Sequence, residues 1–402
     1  MLIVTLVVVV GLLVGAWAAT TRRLRLSGVV VVSLLAVYTL LSAGTLPVFL
    51  LSAGLAFLGI QLVQERWLLY GRRLLLTAIV LGAVVPVGTF LALDLVAGRA
   101  PDVSEVEFLG SILPGIAAYN YYREDGERRL LDLGASVALF VGLVGLGVTA
   151  LWLWATPPCT TCTVLGVSPA DYVTPLLLVA GSDVALLLGL PATAASPVVG
   201  TVGSVTAVVV AGLALAEVVR SRWGLRPLGV VAIPLLALFA LRSWWTLAVY
   251  FGVLVVTTGV VVVVHDRTLL YGRALLSVAG VVAVLVTLPL AVVLGLESSL
   301  PTFFSGLLAG IGAYNLHVAG SAERVDSLVV NAGVFTLVFA LARVLIEPLP
   351  TGLASTVTGG HLLAAALVLV VTAWAVHDRE VDQPSNDAIV DASAFGTEVT
   401  VR

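Results

Sequence analysis

The chain has 402 residues, 60% of them hydrophobic and 11% charged, with a mean hydropathy of +1.14 and a formal net charge of −3. A soluble domain is nearer ~45–50% apolar and ~25% charged, so a soluble globular protein is excluded and apolar helices of roughly 20 residues, each crossing a ~30 Å hydrocarbon core, are expected instead. The alternating strands of an outer-membrane barrel are missing; the small net charge says little about partners, since the placement of the charges matters more, the 20 basic residues are all Arg, and no nucleic-acid partner is expected.

Apolar spans are predicted near 2–20, 28–43, 46–64, 74–97 and 130–154, with a shorter piece at 106–121 that carries Gly110, Pro114 and Gly115. The first run ends in Ala16-Trp17-Ala18, which looks like a signal cleavage site. Its positive charge (Arg22, Arg23, Arg25) follows the apolar run instead of preceding it, so residues 2–20 read as a retained transmembrane helix with its N-terminus outside. A second series follows at 200–219, 229–241, 246–264, 274–296 and 326–346, with its own short piece at 303–317, and a last span at 361–376.

The two series are copies of one another. Leu69-Tyr70-Gly71-Arg72 returns as Leu270-Tyr271-Gly272-Arg273, a spacing of 201 residues (271 − 70). After a short deletion, Gly115-Ile116-Ala117-Ala118-Tyr119-Asn120 returns as Gly310-Ile311-Gly312-Ala313-Tyr314-Asn315. Repetition at half the chain length is the signature of a tandem duplication. With the N-terminus outside and each short piece counted as a crossing, most Arg residues fall on the cytoplasmic side, and only Arg99, Arg242 and Arg343 fall outside or near that end. This positive-inside bias requires six crossings per half, hence parallel repeats. The expected fold is an all-α polytopic membrane protein with two parallel repeats of about six segments, two of these segments short or broken, plus one extra helix. Its parts are a first repeat at 1–155, an extracytoplasmic linker at 156–197, a second repeat at 198–347, an extra transmembrane helix at 348–377 and an acidic, disordered cytoplasmic tail at 378–402.

Catalytic signatures are missing: there is no phosphate loop and no His-Glu-x-x-His. The four His are scattered, so no catalytic residue, metal site or cofactor is assigned. Cys159-Thr160-Thr161-Cys162 has knuckle spacing but lacks the second pair of a zinc site; outside, a disulfide is allowed, and unpaired loop thiols are the alternative. Two constellations carry the functional candidates. The loop of Arg66, Tyr70, Gly71, Arg72 and Arg73 recurs as Arg267, Tyr271, Gly272 and Arg273. It reads either as a positive-inside anchor or as a site for carboxylates or a partner protein, since Arg offers bidentate geometry to such groups. Pro114, Gly115, Tyr119 and Asn120, with Gly310, Tyr314 and Asn315, read either as a pathway or as close packing through small residues. Asp94 and Asp183 are acids in apolar surroundings; Asp94 faces Gly295 in the second copy and is discounted.

At Leu69-Tyr70-Gly71-Arg72-Arg73, followed by Gly110 to Ala117 and Asn120, the chain resembles the CapC or PgsC family of poly-γ-glutamate biosynthesis. Gly229-Val230-Val231-Ala232-Ile233-Pro234 is similar to a further stretch of that family. The resemblance implies two fused CapC units with an added C-terminal helix, in a membrane complex that makes and exports an anionic poly-γ-glutamate. It implies as partner a CapB- or PgsB-like cytoplasmic ligase, which uses ATP to form the γ-amide, with the present chain as its anchor in the lipid bilayer. The second copy departs from the pattern, with Ala274 in place of Arg73 and Ala309 in place of Pro114, which points to the first copy as the functional one. An unrelated transporter or flippase built from parallel repeats, and a passive scaffold, are the rival readings.

Overall fold

The computed structural model describes residues 2–22, 24–67, 69, 71–97, 105–124, 126–155, 182–187, 200–225, 228–294, 296, 300–320 and 323–377. Cys159, Cys162, Tyr70, Arg226, most of the linker and the acidic tail lie outside these residues, as do the side chains of Arg72 and Asp94. All regular structure among the described residues is helical. Eight helices are long and apolar enough to cross a membrane by length and composition.

The first repeat consists of α1 (Leu2–Thr21), α2 (Val29–Leu41), α3 (Thr45–Trp67), α4 (Gly71–Ala97), α5 (Glu105–Tyr122) and α6 (Gly126–Ala155). A short α7 (Asp183–Leu187) follows. The second repeat is α8 (Val202–Trp223), α9 (Ala232–Arg242), α10 (Trp245–Thr268), α11 (Gly272–Val293), α12 (Leu300–Val318) and α13 (Arg324–Leu345), and α14 (Gly359–His377) is the extra helix. The chain is therefore a tandem duplication of six-helix units.

Each unit has two subassemblies: α3, α4 and α5 pack together, as do α10, α11 and α12, while α1, α2 and α6 form a second group matched by α8, α9 and α13. The units exchange contacts across their boundary. Helix α1 packs on α11 of the other repeat, and α8 packs on α4. In a bilayer such helix association is driven by close packing, since lipid tails are as apolar as the side chains. The sequence supplies the small residues: a Cβ on Gly115 would overlap the backbone of Ala78 and Ile79 in α4, and one on Gly310 would meet Ala279 and Ala283 in α11. Pro114 lies inside α5 without interrupting it. Helix α5 has 18 residues, about 27 Å at ~1.5 Å per residue, and it packs on both α3 and α4 as one continuous helix.

The second helix of each repeat is shorter still, with 13 residues in α2 and 11 in α9, or about 20 and 17 Å. Neither spans a ~30 Å core, so the end of each would leave carbonyls unpaired at membrane depth. The segment after the sixth helix folds back to supply hydrogen-bond partners, mostly donors. In the first repeat Ser182 Oγ donates to the Leu40 carbonyl at 2.6 Å, and the Asp183 carboxylate accepts the Ala43 amide at 2.9 Å. In the second, the Leu349 amide donates to the Leu241 carbonyl at 3.1 Å, Leu353 to Ala240 at 2.7 Å, and Thr351 Oγ1 to Arg242 at 2.7 Å. Leu40 and Leu241 are equivalent positions, so one solution is built twice from unrelated sequence. Asp183 is here an end-capping group. Helix α9 is buried along its whole length, which explains why it is apolar on all sides. Helix α14 packs on α13, where Thr372 sits against Gly333, and most of its surface is exposed for lipid.

Candidate functional site

The Tyr-Gly-Arg loops begin with a backbone requirement. Gly71 and Gly272 have φ of 61° and 58°, in the left-handed region where a side chain costs ~1–2 kcal/mol. That turn directs the chain from α3 into α4 and from α10 into α11. The loops are then pinned by the fifth helix. Tyr119 Oη donates to the Gly71 carbonyl at 3.1 Å, and Arg123 Nη1 donates to Tyr119 Oη at 3.2 Å. Tyr314, its counterpart, packs against the buried cluster of Val261, Leu275 and Ala279. Beside each loop the third and fifth helices meet through one equivalent pair, a Gln64–Tyr122 hydrogen bond in the first copy and His265 on His317, ring centroids 4.7 Å apart, in the second. His265 Nδ1 also lies 3.0 Å from the Leu270 carbonyl and its ring is edge-on to Tyr271.

The ends of the fifth helices carry a second duplicated device. Arg129 Nε and Nη2 donate to the carbonyls of Glu124 (2.9 Å) and Tyr122 (3.2 Å); Arg324 does the same to Ala319 (3.3 Å) and His317 (3.2 Å). Asn120 and Asn315 face the loop that enters the second helix. Asn315 Nδ2 donates to the Leu228 carbonyl at 2.7 Å, whereas Asn120 donates to Ile116 and lies against Gly28.

That loop is where the two copies diverge. In the first, Leu26, Ser27 and Gly28 have φ of 50°, 51° and 102°. Consecutive residues of this kind turn their amides into one concavity, a nest for an anion. The anion is internal: the carboxylate of Asp132, 0% exposed, accepts the amides of Arg25 (2.7 Å), Leu26 (2.7 Å) and Ser27 (3.2 Å). In the second copy Asn331 Oδ1 takes the Leu228 amide at 3.0 Å. Holding this loop positions Arg25, whose Nε pairs with the buried Glu124 carboxylate at 2.6 Å.

The loop of the second repeat meets this assembly directly. Thr20, Leu24 and Arg25 from the end of α1, and Tyr271, Arg273 and Ala274 from the start of α11, line one cavity of about 310 Å³. Arg273 lies within electrostatic reach of Arg25, Arg123, Glu124 and Asp132. The first loop makes the reciprocal approach, with Arg73 Nε 3.8 Å from Glu217 of α8. Gly71, Tyr119 and Arg123 thus lead to Glu124 and its partner Arg25, which lines one cavity with Arg273, so Gly71 and Arg273 lie towards the same end of the molecule.

The predicted site residues are thereby separated into groups. Gly71, Arg73, Tyr119, Tyr271, Gly272 and Arg273 are gathered at this arginine-rich end. Arg66 and Arg267 are exposed in the last turns of α3 and α10. Pro114, Gly115 and Gly310 lie deeper, among buried helix contacts. Arg25, Glu124 and Asp132 were not singled out by motif. Their one sequence signal is an acid, Asp132, which follows the charged first turn of α6 and stands at the start of its apolar run. Among the described residues no group of three or more His, Cys, Asp or Glu could hold a metal ion.

A family model described as Capsule biosynthesis CapC matches the chain twice, over residues 10–130 and 211–325. The two stretches together cover more than half of the chain. No curated protein and no solved structure matches it.

Proposed function

The chain belongs to the capsule biosynthesis CapC family, and from that premise we propose that it is the membrane subunit of a poly-γ-glutamate synthase. In this reading it holds a cytoplasmic, ATP-dependent amide ligase against its arginine-rich end and handles the nascent polyanion there. Membership carries the general role, capsule biosynthesis by a multi-pass membrane protein. The observation behind the finer role is that the duplicated Arg loops converge on one end, beside Arg25, Arg123 and Arg129. The positive-inside bias makes that end cytoplasmic, where the ligase and its ATP are.

The seam between the repeats favours holding over a standing pore. Tyr38 of α2 stacks on Phe304 of α12, ring centroids 6.2 Å apart, and Phe303 and Phe304 are fully buried. A polyanion path would need positive charge at this depth, and this seam is filled with aromatic rings. Passage of polymer would thus require the repeats to move apart.

The test uses the first loop alone. In Arg66→Ala/Arg72→Ala/Arg73→Ala, co-purification of the ligase and polymer yield are expected to drop together. If both are unchanged while the variant reaches the membrane in normal amount, the docking role is wrong.

A further inference from the structure

We infer that the cavity between Arg25 and Arg273 is a carboxylate-binding site shared by the two repeats, sized for one or two glutamyl units of the polymer. The inference rests on the reading that this chain handles a poly-carboxylate. It adds where, and with which residues, the polymer is held.

Two guanidinium groups from different repeats line one space of about 310 Å³, at the lower end of the roughly 300–1,000 Å³ typical of small-ligand pockets. Like charges facing a common cavity repel, and an anion between them removes that penalty. Arg25 is committed to Glu124 through Nε, and its terminal nitrogens remain as donors for a planar carboxylate. Arg273 makes no ion pair among the described residues and is half-buried; it feels the positive charges of Arg25 and Arg123, which the carboxylates of Glu124 and Asp132 offset only from a distance, without pairing with it. Helix α11 begins here without a side-chain cap from Tyr271, so the positive end of its dipole adds to the same field.

Comparison of the two loops explains why the space exists. At the position of Ala274 the first repeat has Arg73, whose side chain reaches Glu217 instead. Reduction of that residue to Ala leaves room beside Arg273. The divergence that made the second copy look degenerate is what opens the cavity, so the binding function is assigned to the second loop and the Arg73–Glu217 contact to the first.

The probe is a fluorescent γ-linked glutamate trimer, titrated into the full-length protein in phosphatidylcholine nanodiscs. Saturable binding that weakens with salt is expected. Arg273→Gln, which breaks no ion pair, should weaken it by roughly ten- to a hundredfold, the value of one or two charged hydrogen bonds. Ala274→Arg should do the same by filling the space, with an unchanged gel-filtration profile confirming that it folds. Arg128→Gln, an equal charge change at the same end but outside the cavity, should stay within about twofold. Unchanged binding in both Arg273→Gln and Ala274→Arg overturns the site. So does equal binding of a trimer whose α-carboxylates are amides. Displacement of the trimer by glycerol phosphate at lower concentration than by unlabelled trimer would assign the site to a lipid headgroup and overturn the polymer assignment. Ligase co-purification on the same variants separates the two proposals. Ligase retained with trimer binding lost supports the site; ligase lost with trimer binding intact makes Arg273 a docking residue and overturns the site alone.

Discussion

Replacing Asp132 by Asn isolates the internal anion from the shape of its side chain. In the native protein the two carboxylate oxygens receive three amides, at 2.7, 2.7 and 3.2 Å, and the residue is 0% exposed. Asn can keep the Arg25 and Leu26 amides on Oδ1, but as neutral bonds, each worth about 1 kcal/mol less than one to a charged acceptor. Its amino group faces the Ser27 amide, donor against donor, so the third bond is lost and a buried N–H is left unsatisfied, for a further ~1–3 kcal/mol. The expected loss is roughly 3–5 kcal/mol. Leu26 and Ser27 hold positive φ only because the carboxylate gathers their amides, so the loop should relax and loosen the Arg25–Glu124 pair. The assay is SDS titration of the purified protein in mixed micelles, with heating and gel filtration of the tagged protein as a second readout. Ser136→Ala, which removes a 3.3 Å contact with the Ser27 hydroxyl and a 2.7 Å bond to the Asp132 carbonyl but leaves the carboxylate in place, should cost about 1–2 kcal/mol and serves as the control. A loss for Asp132→Asn below about 1 kcal/mol would refute the account of this loop.

Three further outcomes are expected. With Cys159 and Cys162 replaced by Ser, single cysteines introduced by Trp67→Cys and Leu269→Cys should both react with a membrane-impermeant maleimide from the cytoplasmic side only; labelling from opposite sides would undo the parallel repeats. Gly115→Ala places a Cβ on the backbone of α4 and should reduce stability by ~3 kcal/mol or more, whereas Gly71→Ala meets no atom within 4 Å and should cost only the ~1–2 kcal/mol of its left-handed backbone; equal losses at the two sites would contradict the close α4–α5 packing. Transplanting the first copy's pair into the second, as His265→Gln/His317→Tyr, should leave melting behaviour within about 1 kcal/mol, while His265→Ala alone should free the Leu270 carbonyl and increase proteolysis of the 268–272 loop; a double variant that melts like His265→Ala would show the pairs are not interchangeable.

The membrane class, the duplication and the parallel relation of the halves were legible in the amino-acid order because each depends on local properties. Hydropathy over twenty residues decides whether a helix enters a bilayer, and a motif as uncommon as Tyr-Gly-Arg keeps its place through duplication. The positive-inside rule then needs only a count of Arg in short loops. The same reasoning named Arg73, Tyr119 and Arg273 as candidates, together with Gly71 and Gly272 of the repeated loop.

What it could not supply were the neighbours. Arg25 and Asp132 are 107 residues apart, and nothing near either one reveals that a carboxylate fills a nest of amides in the other's loop. The shortness of α2 and α9 becomes intelligible only with the returning segments that cap Leu40 and Leu241, and those segments share no sequence. Ala274 read as decay of a motif until α1 was seen to pack on α11, where loss of a long side chain opens a cavity instead of merely removing a charge. Local hydropathy determined that this chain enters the membrane as helices. Which ends meet was decided by contact between the repeats, since buried amides and guanidiniums must find partners wherever in the chain those partners lie.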